Sequence, residues 1–118
     1  MTKFNNYDLD ERTAKFGEQV LLFCRSVKLT SIIEPLIKQL VRSATSIGAN
    51  YMEANGASSK KDFINKICIC KKEAKETKHW LRMLGIALPD KKEDLKILWL
   101  EAQELTLIFS KIVITSRN

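Results

Sequence analysis

The sequence predicts an all-α protein, an antiparallel up-down-up-down four-helix bundle formed by residues 1–118 as a single domain. Three observations carry this reading. Apolar residues recur in alternating steps of three and four through four successive segments, the spacing of a helix with one buried face. Short connections containing Ser, Thr, Asn, Gly or Pro separate those segments, and short connections force neighbouring helices to run antiparallel. No segment shows the period-two alternation of a strand. A chain of 118 residues with 45% apolar and 29% charged residues can build one real core, and its composition excludes a disordered chain.

The first helix is expected to open near Asp8, with Asp10 and Glu11 in the first turn facing the positive end of the helix dipole. Its core seam reads Leu9, Thr13, Phe16, Val20, Phe23 and Val27. After Lys28–Thr30, Thr30 or Ser31 is the expected cap of a second helix, whose Pro35 falls in the first turns, where a missing N–H is tolerated. That helix has the seam Ile33, Leu36, Leu40, Ala44, Ile47, Tyr51 and Ala54, and Asn55-Gly56 supplies a left-handed stop. Ser59 and Asp62 have capping-box spacing at the start of a third helix. Its seam is Phe63, Ile67, Cys70, Ala74, Thr77, Leu81 and Leu84, and Gly85 is its expected stop. Beyond Pro89 a fourth helix from about Lys92 has the seam Leu95, Leu98, Ala102, Leu105, Phe109 and Ile112, and its last residues, Thr115 to Asn118, are expected to fray.

The second helix is unusual. Beside its apolar seam runs a stripe of Gln39, Ser43, Ser46, Asn50 and Glu53, mostly short hydrogen-bonding side chains that compete with the helix backbone. Val41, Gly48 and Met52 lie on a third side, and a mid-helix Gly costs about 1 kcal/mol relative to Ala. Close packing of another helix would offset that cost. The helix therefore reads as contacted on more than one side, either within its own bundle or by a second copy of the chain. Arg42 beside this stripe and Glu73 on the third helix are placed to form a fork between the two helices, whereas Glu76 reads as a solvated charge.

The formal charge is +6, and residues 59–89 hold eight basic and three acidic groups. Within them Lys71, Lys75, Lys78 and Arg82 recur at i, i+4, i+7 and i+11, a basic ridge along one helix face. Such a ridge suits an acidic partner, nucleic acid above all, although an uneven solvated face is the plainer alternative. No aromatic platform or amide fork occupies the ridge positions, so contact is expected to be with phosphates and independent of base sequence.

Catalytic and metal chemistry finds little support. One histidine, His79, cannot supply the paired Glu-x-x-His elements of a di-iron bundle. Cys68 and Cys70 are two apart on a helix and point to different faces. Neither a phosphate-binding Gly-rich loop nor a nucleophile–base arrangement occurs, and a catalytic reading would have to rest on Arg42, Ser46 or Glu53. No cofactor or metal is expected. Three cysteines inside helical patterns argue against a disulfide framework, and no apolar run approaches the ~20 residues of a membrane span, so a cytoplasmic, reducing location is expected.

Three runs together carry a family likeness: Gln39-Leu40, Arg42-Ser43-Ala44, Ser46-Ile47, Ala49-Asn50 and Glu53-Ala54; then Ser59, Asp62 and Phe63; then Lys72-Glu73-Ala74, Glu76-Thr77 and Trp80-Leu81. With Asp8-Leu9 and Glu11-Arg12 at the start, the chain resembles, over essentially its whole length, the bacterial four-helix-bundle proteins encoded by intervening sequences in 23S rRNA genes. These are similar to the accessory variability proteins of diversity-generating retroelements. The resemblance implies a homopentameric barrel with helix surfaces buried between subunits and a basic surface suited to nucleic acid. In the retroelement relatives the barrel partners a reverse transcriptase.

Two functional readings follow. One is a non-enzymatic homo-oligomeric scaffold, most simply a pentamer, that binds RNA or another nucleic acid through Lys71, Lys75, Lys78 and Arg82. The other is a module that binds a protein partner such as a reverse transcriptase without touching nucleic acid. Residues assigned to subunit or helix packing are Gln39, Arg42, Ser43, Ser46, Gly48, Asn50, Glu53, Glu73 and Trp80, with an outward line from Ile69 to Trp80 as a second covered surface.

Overall fold

A computed structural model gives the architecture; it describes residues 6–118, with side chains from Leu9 onward. The described residues form four helices, α1 Asn6–Arg25, α2 Ile33–Asn55, α3 Lys60–Ala87 and α4 Lys92–Arg117, with one 3-10 turn, Pro89–Lys91, before α4. No strand occurs among the described residues. Each helix packs on its sequence neighbours and α4 returns to α1, while the diagonal pairs stay apart. Cross-helix pairs confirm the antiparallel sense. Asp10 meets Asn55, Ser43 meets Thr77, and Ile47 meets Cys70, so numbers rise on one helix as they fall on the next. The bundle measures 45 × 26 × 20 Å, its long axis matching the ~42 Å expected of a 28-residue helix at 1.5 Å per residue.

The seams expected on α1, α3 and α4 are buried, apart from Phe63 and Ile112, which are half-buried; on the last turns of α4 Val113 takes the inward position assigned to Ile112, and Ile108 is buried beside the seam. On α2, Ile37 takes the inward position assigned to Leu36, because a helix of 3.6 residues per turn drifts against a fixed spacing of four and three. Ser43 also turns fully inward. The α1–α4 seam is the thinnest of the four, and α1 ends at Arg25 in a tight turn that still buries Val27.

Several ends differ from expectation. The Asp8 cap lies outside the described side chains. Thr30 ties the turn before α2, its Oγ1 accepting from the Ile33 N–H at 3.2 Å and its carbonyl from the Glu34 N–H at 2.9 Å. Gly56 does end α2, but at φ −95° and not in the left-handed region. Gly85 does not stop α3, which runs on to Ala87. Pro89, which disfavours helical backbone in the residue before it, ends the helix at Leu88. Ser59 caps α3 as its spacing predicts, accepting from the Asp62 N–H at 3.0 Å. Helix α4 runs on to Arg117, past the point where fraying was expected.

Candidate nucleic-acid interface

The basic residues and the packing residues named from sequence separate onto different sides of α3. Glu73 and Glu76 turn toward α2. Arg42 reaches Glu73 Oε1 at 3.2 Å and also pairs with Glu76, while Gln39 Oε1 accepts from Arg42 Nε at 3.3 Å. Glu76 is therefore not a solvated bystander; it lies one helical turn from Glu73 and shares the same guanidinium. Glu73 is the most enclosed of the three, its side chain 11% exposed against 47% for Arg42.

The short polar residues of α2 find their partners inside the chain. Ser46 Oγ donates to the Arg42 carbonyl at 2.6 Å and Asn50 Nδ2 to the Ser46 carbonyl at 2.9 Å. Glu53 takes a bond from Lys66 Nζ at 2.8 Å, which raises the Lys66 pKa above its ordinary value. Ser43 is completely buried, its Oγ 2.9 Å from that of Thr77. On the opposite side of α2, a Cβ built at Gly48 would meet Thr13 of α1 at 3.4 Å. At Gly48 this side of α2 is thus approached by α1 of the same chain, while Met52 on the same side is exposed. Trp80 is half-buried against the core, its indole N–H enclosed without an acceptor, with His79 edge-on at 4.8 Å.

Lys78 and Arg82 of the ridge lie on the α4 side of α3, and Lys71 and Lys75 share a shallow surface with Cys68, Lys72 and Glu76 of the same helix. Lys75 and Arg82 are exposed, Lys71 is half-exposed, and none of the three joins an ion pair among the described residues. Lys78 differs. Its ammonium bonds Gln103 Oε1 and stands 5.3 Å from the centre of the Trp99 ring, both on α4. The ridge positions themselves carry neither aromatic nor amide, as the sequence indicates, but the neighbouring helix sets one of each beside them. The signal in the sequence was Lys92, Lys96 and Trp99 at i, i+4 and i+7, which mirrors Lys78, Arg82 and Gly85 on α3.

A second feature escaped the sequence reading. Arg12 of α1 forms a two-pronged fork with Glu101 of α4, Nε to Oε2 at 2.7 Å and Nη2 to Oε1 at 2.9 Å, with Glu104 at 3.7 Å. The hydrogen bonds to Glu101 raise the Arg12 pKa above its ordinary value. Ile97 and Leu100 lie beside this fork with Lys15 and Gln19, and Leu22, Ile97, Leu100, Leu107 and Ile114 are 50–64% exposed on α1 and α4. Burial pushes the Cys70 thiol up to about 12 and the Cys24 thiol up to about 11. Among the described residues no group of three potential ligands could hold a metal, and no helix is long and apolar enough to cross a membrane.

Against this geometry, the family model described as 23S rRNA-intervening sequence protein matches residues 7–111, from the start of α1 to the last turns of α4. The chain belongs to that family. A solved structure, described as a protein with unknown function from the S23 ribosomal protein family of Bacteroides thetaiotaomicron VPI-5482, is similar at 29% identity and a TM-score of 0.78. The similarity covers 88% of this chain and 96% of that one. A search of curated proteins gives no match. Neither description names an enzymatic activity.

Proposed function

We propose that this intervening-sequence family member is a non-enzymatic, homo-oligomeric scaffold, most simply a pentamer, that binds nucleic acid through the α3 ridge. The observation that carries the reading is the ridge: Lys71, Lys75 and Arg82 point away from the core without acidic partners, on a chain with net charge +6. A phosphate backbone is the polyanion such a line of cations fits, and RNA is the form the family's description favours. Repetition of a weak patch around a ring raises its avidity without any new contact.

Support for assembly comes from α1 and α4. Leu22, Ile97, Leu100, Leu107 and Ile114 make an exposed apolar band beside the thinly packed α1–α4 seam, the kind of surface that marks a protein–protein contact. The same band would serve a protein partner under the second reading.

Sedimentation velocity at micromolar concentration reads the first part; a mass several times 13.5 kDa is expected, and a 13.5 kDa species alone at all salt concentrations overturns assembly. Fluorescence anisotropy against two unrelated RNAs over a salt series reads the second part. Affinity should fall with salt at a log–log slope near −0.7 per phosphate neutralised on single strands. The double charge reversal Lys75→Glu with Arg82→Glu should flatten that slope for both RNAs alike. Equal binding by parent and variant removes the ridge from the interface, and a specific protein that co-purifies without nucleic acid supports the partner-binding module instead.

A further inference from the structure

The groove between the C-terminal half of α3 and the N-terminal half of α4 brings three cations outside any ion pair among the described residues, Arg82, Lys92 and Lys96, together with the Trp99 ring. It measures about 580 Å³, within the ~300–1,000 Å³ of small-ligand clefts. Leu81 and Leu95, both buried, form its floor, and Arg82, Lys92, Lys96 and Trp99 form its walls. Glu93 is the single acid among the lining residues.

Two features of the groove point to a flat, anionic occupant. The first is the setting of Trp99. This side chain is half-buried against the core, so its position is held before any ligand arrives; the Lys78 ammonium, bonded to Gln103, stands over the ring 5.3 Å from its centre, and the ring also lines the groove beside Arg82 and Lys96. The second is Gly85. A Cβ built there meets nothing within 4 Å, so the groove is open where α3 lacks a side chain, opposite the basic turn of α4. Antiparallel packing sets Lys78, Arg82 and Gly85 against Lys92, Lys96 and Trp99, each triplet at i, i+4 and i+7.

We propose that this groove seats an unpaired nucleobase stacked on Trp99, with the flanking phosphates held by Arg82, Lys92 and Lys96. The inference rests on the nucleic-acid reading of the ridge and narrows it to single strands. A duplex keeps its bases stacked inside and has only its phosphates to present, whereas an unpaired base can turn out onto an aromatic ring. Every base has a π-face, so stacking leaves binding tolerant of sequence.

The test compares the parent with Trp99→Leu and Gly85→Leu, the second filling the groove without removing a charge or meeting a neighbour at Cβ. Probes are an oligouridylate of about 20 nucleotides, an abasic strand of equal length and an RNA duplex. The parent is expected to bind oligouridylate about tenfold more tightly than the abasic strand, with quenching of tryptophan fluorescence. Both variants should lose that preference and the quenching, yet keep the salt-dependent binding of abasic strand and duplex. Circular dichroism confirms that the variants fold, and Gly85→Leu decides the matter should Trp99→Leu fail to do so. Equal affinity of the parent for base-bearing and abasic strands, or quenching that survives in Gly85→Leu, overturns the stacking site and leaves the ridge standing. A parent that binds none of the three probes overturns both. Displacement of oligouridylate by polyglutamate, with the same quenching, overturns the nucleobase assignment in favour of an acidic protein segment.

Discussion

The Ser43 and Thr77 hydroxyl oxygens lie 2.9 Å apart at the centre of the α2–α3 interface, both residues fully buried. Thr77 is also 2.8 Å from the Glu73 carbonyl and Ser43 is 3.3 Å from the Leu40 carbonyl, so two hydroxyl hydrogens serve one contact across the interface and two to the helices' own carbonyls. Removing one member leaves the other with less than it had in water, whereas removing both leaves no orphan. Thr77→Val and Ser43→Ala are each expected to cost about 1–2 kcal/mol, and the double variant about 0.5–1 kcal/mol less than their sum. Urea unfolding of the four proteins of this cycle measures the difference; strict additivity would show that the cross-helix bond contributes nothing.

Arg12 and Glu101 hold together the seam where α1 and α4 pack least. Lysine keeps the charge but cannot reproduce the planar fork. Arg12→Lys is expected to lower stability by about 0.5–1 kcal/mol, a modest figure because both side chains are partly exposed and water screens them. Hydrogen exchange should quicken in α1 before any other helix. Uniform quickening across the bundle would contradict a local role for the fork.

Gly48 lies against Thr13 where α1 crosses α2. Its added Cβ would stand 3.4 Å from Thr13 Oγ1, an ordinary contact. Gly48→Ala should therefore gain most of the helix-propensity difference, up to about 1 kcal/mol. Gly48→Leu must push α1 away and should lose about 1–3 kcal/mol. Thermal melts of both variants check the opposite signs, and a Leu variant as stable as the parent would refute the close approach.

Alkali should weaken the bundle through its buried thiols. Burial raises Cys70 from 9.0 to about 12 and Cys24 to about 11. Below about pH 9 both thiols are neutral in the folded and unfolded chain, and their full contribution is present. Above it the unfolded chain releases protons that the folded chain retains, so stability falls as pH rises toward the folded values. Tyr51, raised to about 12 chiefly by burial, adds to the fall from its ordinary 10.0 upward. The urea midpoint is expected to hold up to about pH 9 and to drop from there to about pH 10.5. In Cys70→Ala the starting stability should be lower and the drop smaller. An equal drop in parent and variant would assign the slope to other groups.

Periodicity alone determined the four helices of the described residues, which residue of each turn faces inward on α1, α3 and most of α4, and, through the short connections, the antiparallel order. These are local properties: side-chain direction repeats every 3.6 residues, and a short loop leaves one way to turn back. The ridge of Lys71, Lys75, Lys78 and Arg82 was legible for the same reason, since all four lie on one helix. What lay beyond reach joins residues far apart in the chain. The Arg12–Glu101 fork spans 89 positions, Arg42 takes in Glu76 as well as Glu73, and Lys78 finds Trp99 and Gln103 on α4. The side chain that a polar residue meets depends on the rotation and axial offset of the neighbouring helix. Those follow from how two whole surfaces interlock, and no spacing within one helix encodes them. The apolar stripe of α2 illustrates the boundary. Its existence could be read directly, but packing against α1 and α3 chose Ile37 over Leu36 and drew Ser43 inside, where Thr77 could satisfy its hydroxyl.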